Sequence, residues 1–193
     1  MAQMQKLPLR DAQQDQAAYN RLMQAYPFHP DLIDVLYSKW TQFSGFQRTR
    51  GALRLLALAL RNVGTDDPLP VIGPRALLAK DELSPALVEL INCCEEKEKW
   101  TPILRGELDK AREAQSGFPS LKDRELEQAV IATFLHSQPT GQRADPSELY
   151  ALLAHPKVDP LSLGEALKKW RDLSWFLVED STAWALSTRP NLT

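Results

Sequence analysis

The chain has 193 residues, 44% of them hydrophobic and 25% charged, with a net charge of −2 and a pI of about 6.0. That composition suits one ordinary domain or two small ones and excludes a disordered chain. It supplies no bulk charge for a histone-like or RNA-coating role, and the longest apolar run, Leu55 to Leu60, is far shorter than the ~20 residues needed to cross a bilayer.

Met1 to Lys6 lacks an apolar signal core, so a cytoplasmic protein is expected. Its two adjacent cysteines, Cys93 and Cys94, are expected to be reduced, buried thiols. Asp11 to Gln24 reads as a first helix, with Ala18, Leu22 and Met23 at helical spacing. Pro30 stands where a first turn tolerates proline, and Leu32, Ile33, Leu36 and Tyr37 form an apolar stripe up to Trp40. Gly45 breaks the chain before a helix that runs to about Val63 and stops at Asn62-Val63-Gly64. A proline-rich loop follows over Asp66 to Pro74. Ser84-Pro85 opens another helix, expected to end in the charged run Glu95 to Lys99, and Thr101-Pro102 opens the next, to about Gln115. Ser116-Gly117-Phe118-Pro119 marks a boundary between two units, residues 1–118 and 119–193, with the helix at 11–24 as an appendage of the first.

Beyond that boundary, Leu121 to Ser137 is expected to be a helix with Leu126, Val130, Thr133 and Phe134 on one side. Asp145-Pro146-Ser147-Glu148 supplies an N-cap, a first-turn proline and a capping-box Glu for a short helix ending near His155. Asp159-Pro160 opens a third, with Leu163, Ala166, Leu167 and Trp170 facing a core. Trp175 to Val178 and Ala183 to Leu186 are β-prone runs joined by Glu179-Asp180-Ser181-Thr182, a hairpin pattern. Three helices and a hairpin follow the winged-helix order, and Trp170, Trp175 and Trp184 are expected to cluster where the hairpin packs. The fold class is therefore mainly α, a helical bundle followed by a winged-helix domain with a small β-hairpin.

One segment concentrates positive charge. Residues 35–65 hold Lys39, Arg48, Arg50, Arg54 and Arg61 and no Asp or Glu. Guanidinium groups at and just inside a helix start suit phosphate, since each is always charged and can bond two oxygens at once. At 100° per residue, Arg50, Arg54 and Arg61 share one stripe, with Leu53, Leu56, Leu60 and Val63 expected on the core side. Arg48 points elsewhere or precedes the helix. Other chemistries find no motif: there is no Walker A sequence, no nucleophile elbow, and His29, His136 and His155 have no metal-like spacing. His29, between Phe28 and Pro30, is read as structural.

Ala25-Tyr26-Pro27-Phe28-His29-Pro30-Asp31-Leu32 and Phe46-Gln47-Arg48-Thr49-Arg50-Gly51-Ala52-Leu53-Arg54-Leu55-Leu56-Ala57 resemble the C-terminal part of a family of large predicted AAA+ ATPases. These are encoded beside DNA methylases in prokaryotic defence loci. Trp100 to Ile103, Ile131 to Ser137 and Ser187 to Leu192 extend the likeness, which covers the chain from about Ala25 onward. The resemblance implies an AAA+ helical lid followed by a winged helix, and within Gly51-Ala52-Leu53-Arg54 it makes Arg54 the candidate "sensor 2" contact to a nucleotide's terminal phosphate. Arg50 and Arg48 are its plausible neighbours. Arg54 is accordingly expected to be solvent-accessible and free of a carboxylate partner.

The family's ATPase core would precede Tyr26, and the chain stops where the family continues. The expected object is therefore an excised piece or the product of a truncated gene, its winged helix cut short at the C-terminus. By itself it is expected to be no enzyme and to hold no metal or cofactor, with ATP and Mg²⁺ implied for the parent. Its partner would be the parent's AAA+ core or a separately encoded one, with a further protein partner through the winged helix and no membrane. The alternative is a free-standing winged-helix module that binds DNA or protein through Lys168, Lys169 and Arg171. Leu121 to Thr193 holds eight basic and ten acidic residues, which supports DNA only weakly.

Overall fold

Short local signals set the helix ends, and burial against one central helix arranges the rest. The structure, a computed structural model, describes residues 12–64, 70–79, 83–138, 142–153, 158–180 and 183–191. The expectations at Asp11, Asp66-Asp67, His155, Ser181-Thr182 and Leu192-Thr193 lie outside the described residues.

Eight α-helices and one strand pair are present among them: α1 (Ala12–Ala25), α2 (Pro30–Ser38), α3 (Thr49–Asn62), α4 (Pro85–Cys93), α5 (Lys97–Gln115), α6 (Glu125–Ser137), α7 (Pro146–Leu153), α8 (Pro160–Leu173), β1 (Leu177–Asp180) and β2 (Ala183–Leu186). Side chains cap several of the helix starts. His29 Nδ1 accepts the Asp31 N–H at 3.2 Å, and Ser84 Oγ accepts that of Leu87 at 3.1 Å. Asp145 accepts from Ser147 N–H at 2.8 Å while Glu148 returns to the Asp145 N–H at 2.9 Å, so the N-cap and the capping-box Glu each satisfy a free N–H of the first turn.

The charged run at 95–99 is divided differently from the expectation. Helix α4 stops at Cys93, Glu96 adopts a left-handed conformation (φ 48°), and Lys97 to Lys99 already form the first turn of α5. Pro102 therefore lies inside the helix, where its missing N–H deprives only the Glu98 carbonyl of an intrahelical bond.

Helix α6 is the second departure. All thirteen of its residues are buried, not one apolar side, because α2, α5, α7, α8, β2 and the 3-10 turn Pro74–Leu77 surround it. A helix covered on every face needs its polar groups satisfied from outside. Glu125 accepts the N–H groups of Lys122 (3.2 Å) and Asp123 (3.0 Å), and Glu127 is held by Arg112 (2.8 Å) and Arg124 (2.7 Å). At the other end, Trp40 Nε1 donates to the Leu135 carbonyl at 2.9 Å, and Lys39 Nζ to the His136 carbonyl at 3.0 Å. A cation on those last carbonyls also complements the negative end of the helix dipole.

Trp40 is fully buried against Phe43, Phe46 and Phe134, with centroids 5.3, 5.8 and 5.7 Å away. Truncating a side chain of this size costs about 3–5 kcal/mol. The buried side chains before and after Ser116-Gly117-Phe118-Pro119 form one continuous cluster, so that boundary divides the chain and not the core.

β1 and β2 pair antiparallel in the register Leu177↔Leu186 to Asp180↔Ala183. Ala144 adds a bridge the sequence reading lacked, exchanging N–H···O bonds of 2.7 and 2.8 Å with Trp184. Trp170 and Trp184 meet edge to face at 5.8 Å as expected. Trp175 does not join them. It is 66% exposed, with Lys110 Nζ 4.4 Å from its ring centroid.

Candidate functional site

The α3 arginines are presented by an unusual entry to the helix. Ser44–Phe46 is a 3-10 turn, after which Gln47 (φ 57°) and Arg48 (φ 49°, ψ −125°) both take positive φ. Such angles are strained for residues with a side chain. They turn the chain sharply enough to start α3 at Thr49, with Arg48 preceding it as N-cap residue.

Gly51 is what lets the turn close: a Cβ there would lie 1.6 Å from the Phe46 carbonyl oxygen. The glycine of Gly51-Ala52-Leu53-Arg54 thus has a packing reason of its own. No side chain caps α3 and no acid occupies its first turn, so the positive end of its dipole is uncompensated.

Helix α3 buries Ala52, Leu55 and Ala59, with Leu56, Leu58 and Val63 at the margin. Leu53 and Leu60, expected in the core, are 59% and 52% exposed. At 100° per residue they lie only about 60° and 80° from Arg50, on the outer half of the helix. The outer surface therefore interleaves Arg50, Arg54 and Arg61 with Leu53, Ala57 and Leu60.

The guanidinium groups of Arg48, Arg50 and Arg61 have no hydrogen bond or ion pair among the described residues. Arg54 departs from expectation. It is accessible, but its guanidinium lies 3.3 Å from the Glu89 carboxylate of α4. The window 35–65 contains no acid, and α4 supplies one from outside it. The pair is open to water, with side-chain exposures of 66% and 30%, and such pairs contribute under about 1 kcal/mol. Lys39, the fifth cation of that window, is committed to capping α6 and lies 3.5 Å from Glu148.

On α8 the cations are largely matched. Lys168 pairs with Glu165 at 2.9 Å, and Arg171 with Asp172 at 3.1 Å and Glu179 at 3.5 Å. Lys169 has no carboxylate partner among the described residues and lies against Gly117.

Burial, more than its neighbour Cys93, pushes the Cys94 thiol up to about 12, so it stays protonated and unreactive. His136 is also buried, and neither ring nitrogen has a hydrogen-bond partner. Desolvation pulls its pKa down to about 4, against the opposing pull of Glu148. Among the described residues no cluster of three or more His, Cys, Asp or Glu is arranged to hold a metal, and no helix is long and apolar enough to cross a membrane.

Concavities lie away from the α3 face. One of about 500 Å³ runs between α7 and α8, lined by Leu149, Tyr150, Leu161 and Trp184. Another, of about 360 Å³, has Trp100, Ser137, Gln138 and Ser187 to Arg189 in its walls.

No family model, curated protein or solved structure matches the chain.

Proposed function

We propose that this chain is a nucleotide-sensing lid and winged-helix module that regulates a larger AAA+ ATPase and has no catalytic activity of its own. The observation that carries this reading is the α3 face, where Arg48 and Arg50 lack any carboxylate partner among the described residues beside an uncapped helix start, with Arg61 equally unmatched in the last turn of the same helix. Unpaired guanidinium groups around a free helix N-terminus favour the oxygens of a polyphosphate.

Arg54, one turn further on, has a ready exchange. Its exposed pair with Glu89 is weak enough to be given up for a terminal phosphate, so Glu89 holds the side chain when no nucleotide is present. ATP and Mg²⁺ belong to the AAA+ core of the parent, or of a separately encoded partner, in a cytoplasmic defence or DNA-transaction system. The exposed Leu53 and Leu60 supply the apolar part of the contact with that core.

The order α6, Ala144 bridge, α7, α8, β1, β2 supports the winged-helix part of the reading. Because Lys168 and Arg171 are matched by acids, the winged helix faces a protein in this reading more readily than DNA. A gene product carrying this chain behind an ATPase core provides the test. Arg54→Ala and Arg50→Ala are expected to lower its ATP turnover by roughly 10- to 1,000-fold, the range for losing one charge-stabilising donor. Unchanged turnover in both variants would refute the sensing role.

A further inference from the structure

The outer face of α3 sets two kinds of group side by side. With Leu53 as origin and 100° per residue, Ala57 lies about 40° to one side and Leu60 about 20° to the other, so the three form one apolar stripe. Arg50, Arg61 and Arg54 follow at about 60°, 80° and 100°, a basic edge running along that stripe. All six side chains are exposed, and Leu53 and Leu60 are each more than half accessible to water. The helix bears no acid of its own; among the described residues, Glu89 of α4 is the carboxylate that reaches this edge, 3.3 Å from Arg54.

The pairing of stripe and edge limits what fits. A polyphosphate satisfies the guanidinium groups and leaves the leucines in water. A wholly apolar partner would desolvate the arginines without pairing them. A second copy laying its own α3 here would bring arginine against arginine. A stripe of two leucines and an alanine is also too narrow to seat this face in a lipid interface. Leu53, Ala57 and Leu60 recur at i, i+4 and i+7, the spacing by which one helix packs along another, and cations along one edge call for carboxylates opposite them.

We propose that the outer face of α3 docks an amphipathic helix of a partner protein. That helix carries large aliphatic residues along its inner stripe and glutamate or aspartate along the edge that meets Arg50, Arg54 and Arg61. The Arg54–Glu89 pair shows the kind of group this edge accepts. The proposal rests on the lid reading only in taking α3 as the face that meets another protein.

The test is an amide NMR titration of the ¹⁵N-labelled chain with a synthetic helical peptide of α3's length, bearing leucine at i, i+4 and i+7 and glutamate along one edge. Two control peptides replace the glutamates by lysine or the leucines by alanine. Saturable shifts centred on Arg50 to Arg61 are expected with the first peptide and none with the lysine peptide. The alanine peptide is expected to bind about 10-fold more weakly. Leu60→Ser and Arg61→Gln, both at exposed positions, are each expected to weaken binding severalfold. Equal binding of the glutamate and lysine peptides, shifts centred on other helices, affinity unchanged in both variants, or no response at all would overturn the proposal. Sedimentation with phosphatidylserine vesicles that Leu60→Ser abolishes, without a peptide response, would overturn it in favour of a lipid surface. A parallel titration with Mg²⁺-ATP separates the two readings. An α3 response to ATP with none to the peptide would overturn the docking proposal and leave the sensing role, whereas the reverse would support docking and remove sensing.

Discussion

The indole N–H of Trp170 donates to the Glu107 carboxylate at 3.0 Å, joining α8 to α5 across the boundary at residues 116–119. Glu107 is fully buried and also accepts the Trp175 N–H at 3.3 Å and the Lys110 ammonium at 3.0 Å. One carboxylate thereby fixes the third helix and the start of the hairpin against the helical bundle. Glu107→Ala strands two donors and a half-buried cation, and is expected to cost about 3 kcal/mol. Glu107→Gln keeps an acceptor and is expected to cost less. Urea midpoints report both, and a wild-type midpoint for Glu107→Ala would mean the two parts are held by apolar packing alone.

Gly51 makes a second prediction. The Cβ added in Gly51→Ala meets the Phe46 carbonyl at 1.6 Å, so α3 must move away from the turn that starts it. The expected loss is about 2–3 kcal/mol, the scale of overpacking, despite alanine's better helix propensity. For a chain of this size that lowers Tm by about 4–12 °C. A Tm at or above that of the wild type would show that the close approach is not rigid.

His136 sets a pH dependence whose sign follows from burial. Its pKa falls from the ordinary 6.5 to about 4 in the folded state. Between those values the unfolded chain binds the extra proton, so stability rises with pH there. The contribution is fully present above pH 6.5 and is lost as pH falls toward 4, by an amount on the order of 2–3 kcal/mol. Replacing the imidazole by a non-titrating group, as in His136→Asn, is expected to flatten that part of the curve whatever it does to stability at pH 7. Parallel slopes for wild type and variant between pH 6.5 and 4 would contradict this.

What the sequence made legible was local chemistry. Asp145-Pro146-Ser147-Glu148 and Asp159-Pro160 announce their caps because the interacting atoms lie within three residues, and both caps form. His29, too, is structural as read, capping α2. What stayed hidden depended on contacts across the chain. Glu89 reaches Arg54 from the next helix, so no scan of the arginine segment could find it. Ala144 pairs with Trp184 as a single residue, too short to show the alternation of a strand. The α3 core face was misassigned because its leucines outnumber the small residues that actually face inward, and Ala52 and Ala59 are buried at close helix approaches. Only Leu126, Val130, Thr133 and Phe134 were placed on one side of α6, whereas partners from outside the helix let Glu125 and Glu127 be buried as well.

Arg54 separates a sensing role from a structural one. Since its pair with Glu89 is exposed, Arg54→Ala is expected to change stability by less than about 0.5 kcal/mol. A loss well beyond that in a denaturation experiment would make the Arg54–Glu89 pair a structural clamp.

The most direct measurement of the lid reading is an amide NMR titration of the isolated chain with Mg²⁺-ATP, set beside one with duplex DNA at the same low salt. The expected result is a weak, salt-sensitive response to ATP, with Kd in the millimolar range or about 4 kcal/mol of binding, centred on Thr49 to Arg54 and reduced by Arg50→Ala. DNA is expected to leave Lys168, Lys169 and Arg171 largely unperturbed. No response of the α3 amides to ATP, together with saturable shifts along α8 on adding DNA, would contradict the nucleotide-sensing module and favour the free-standing winged-helix alternative.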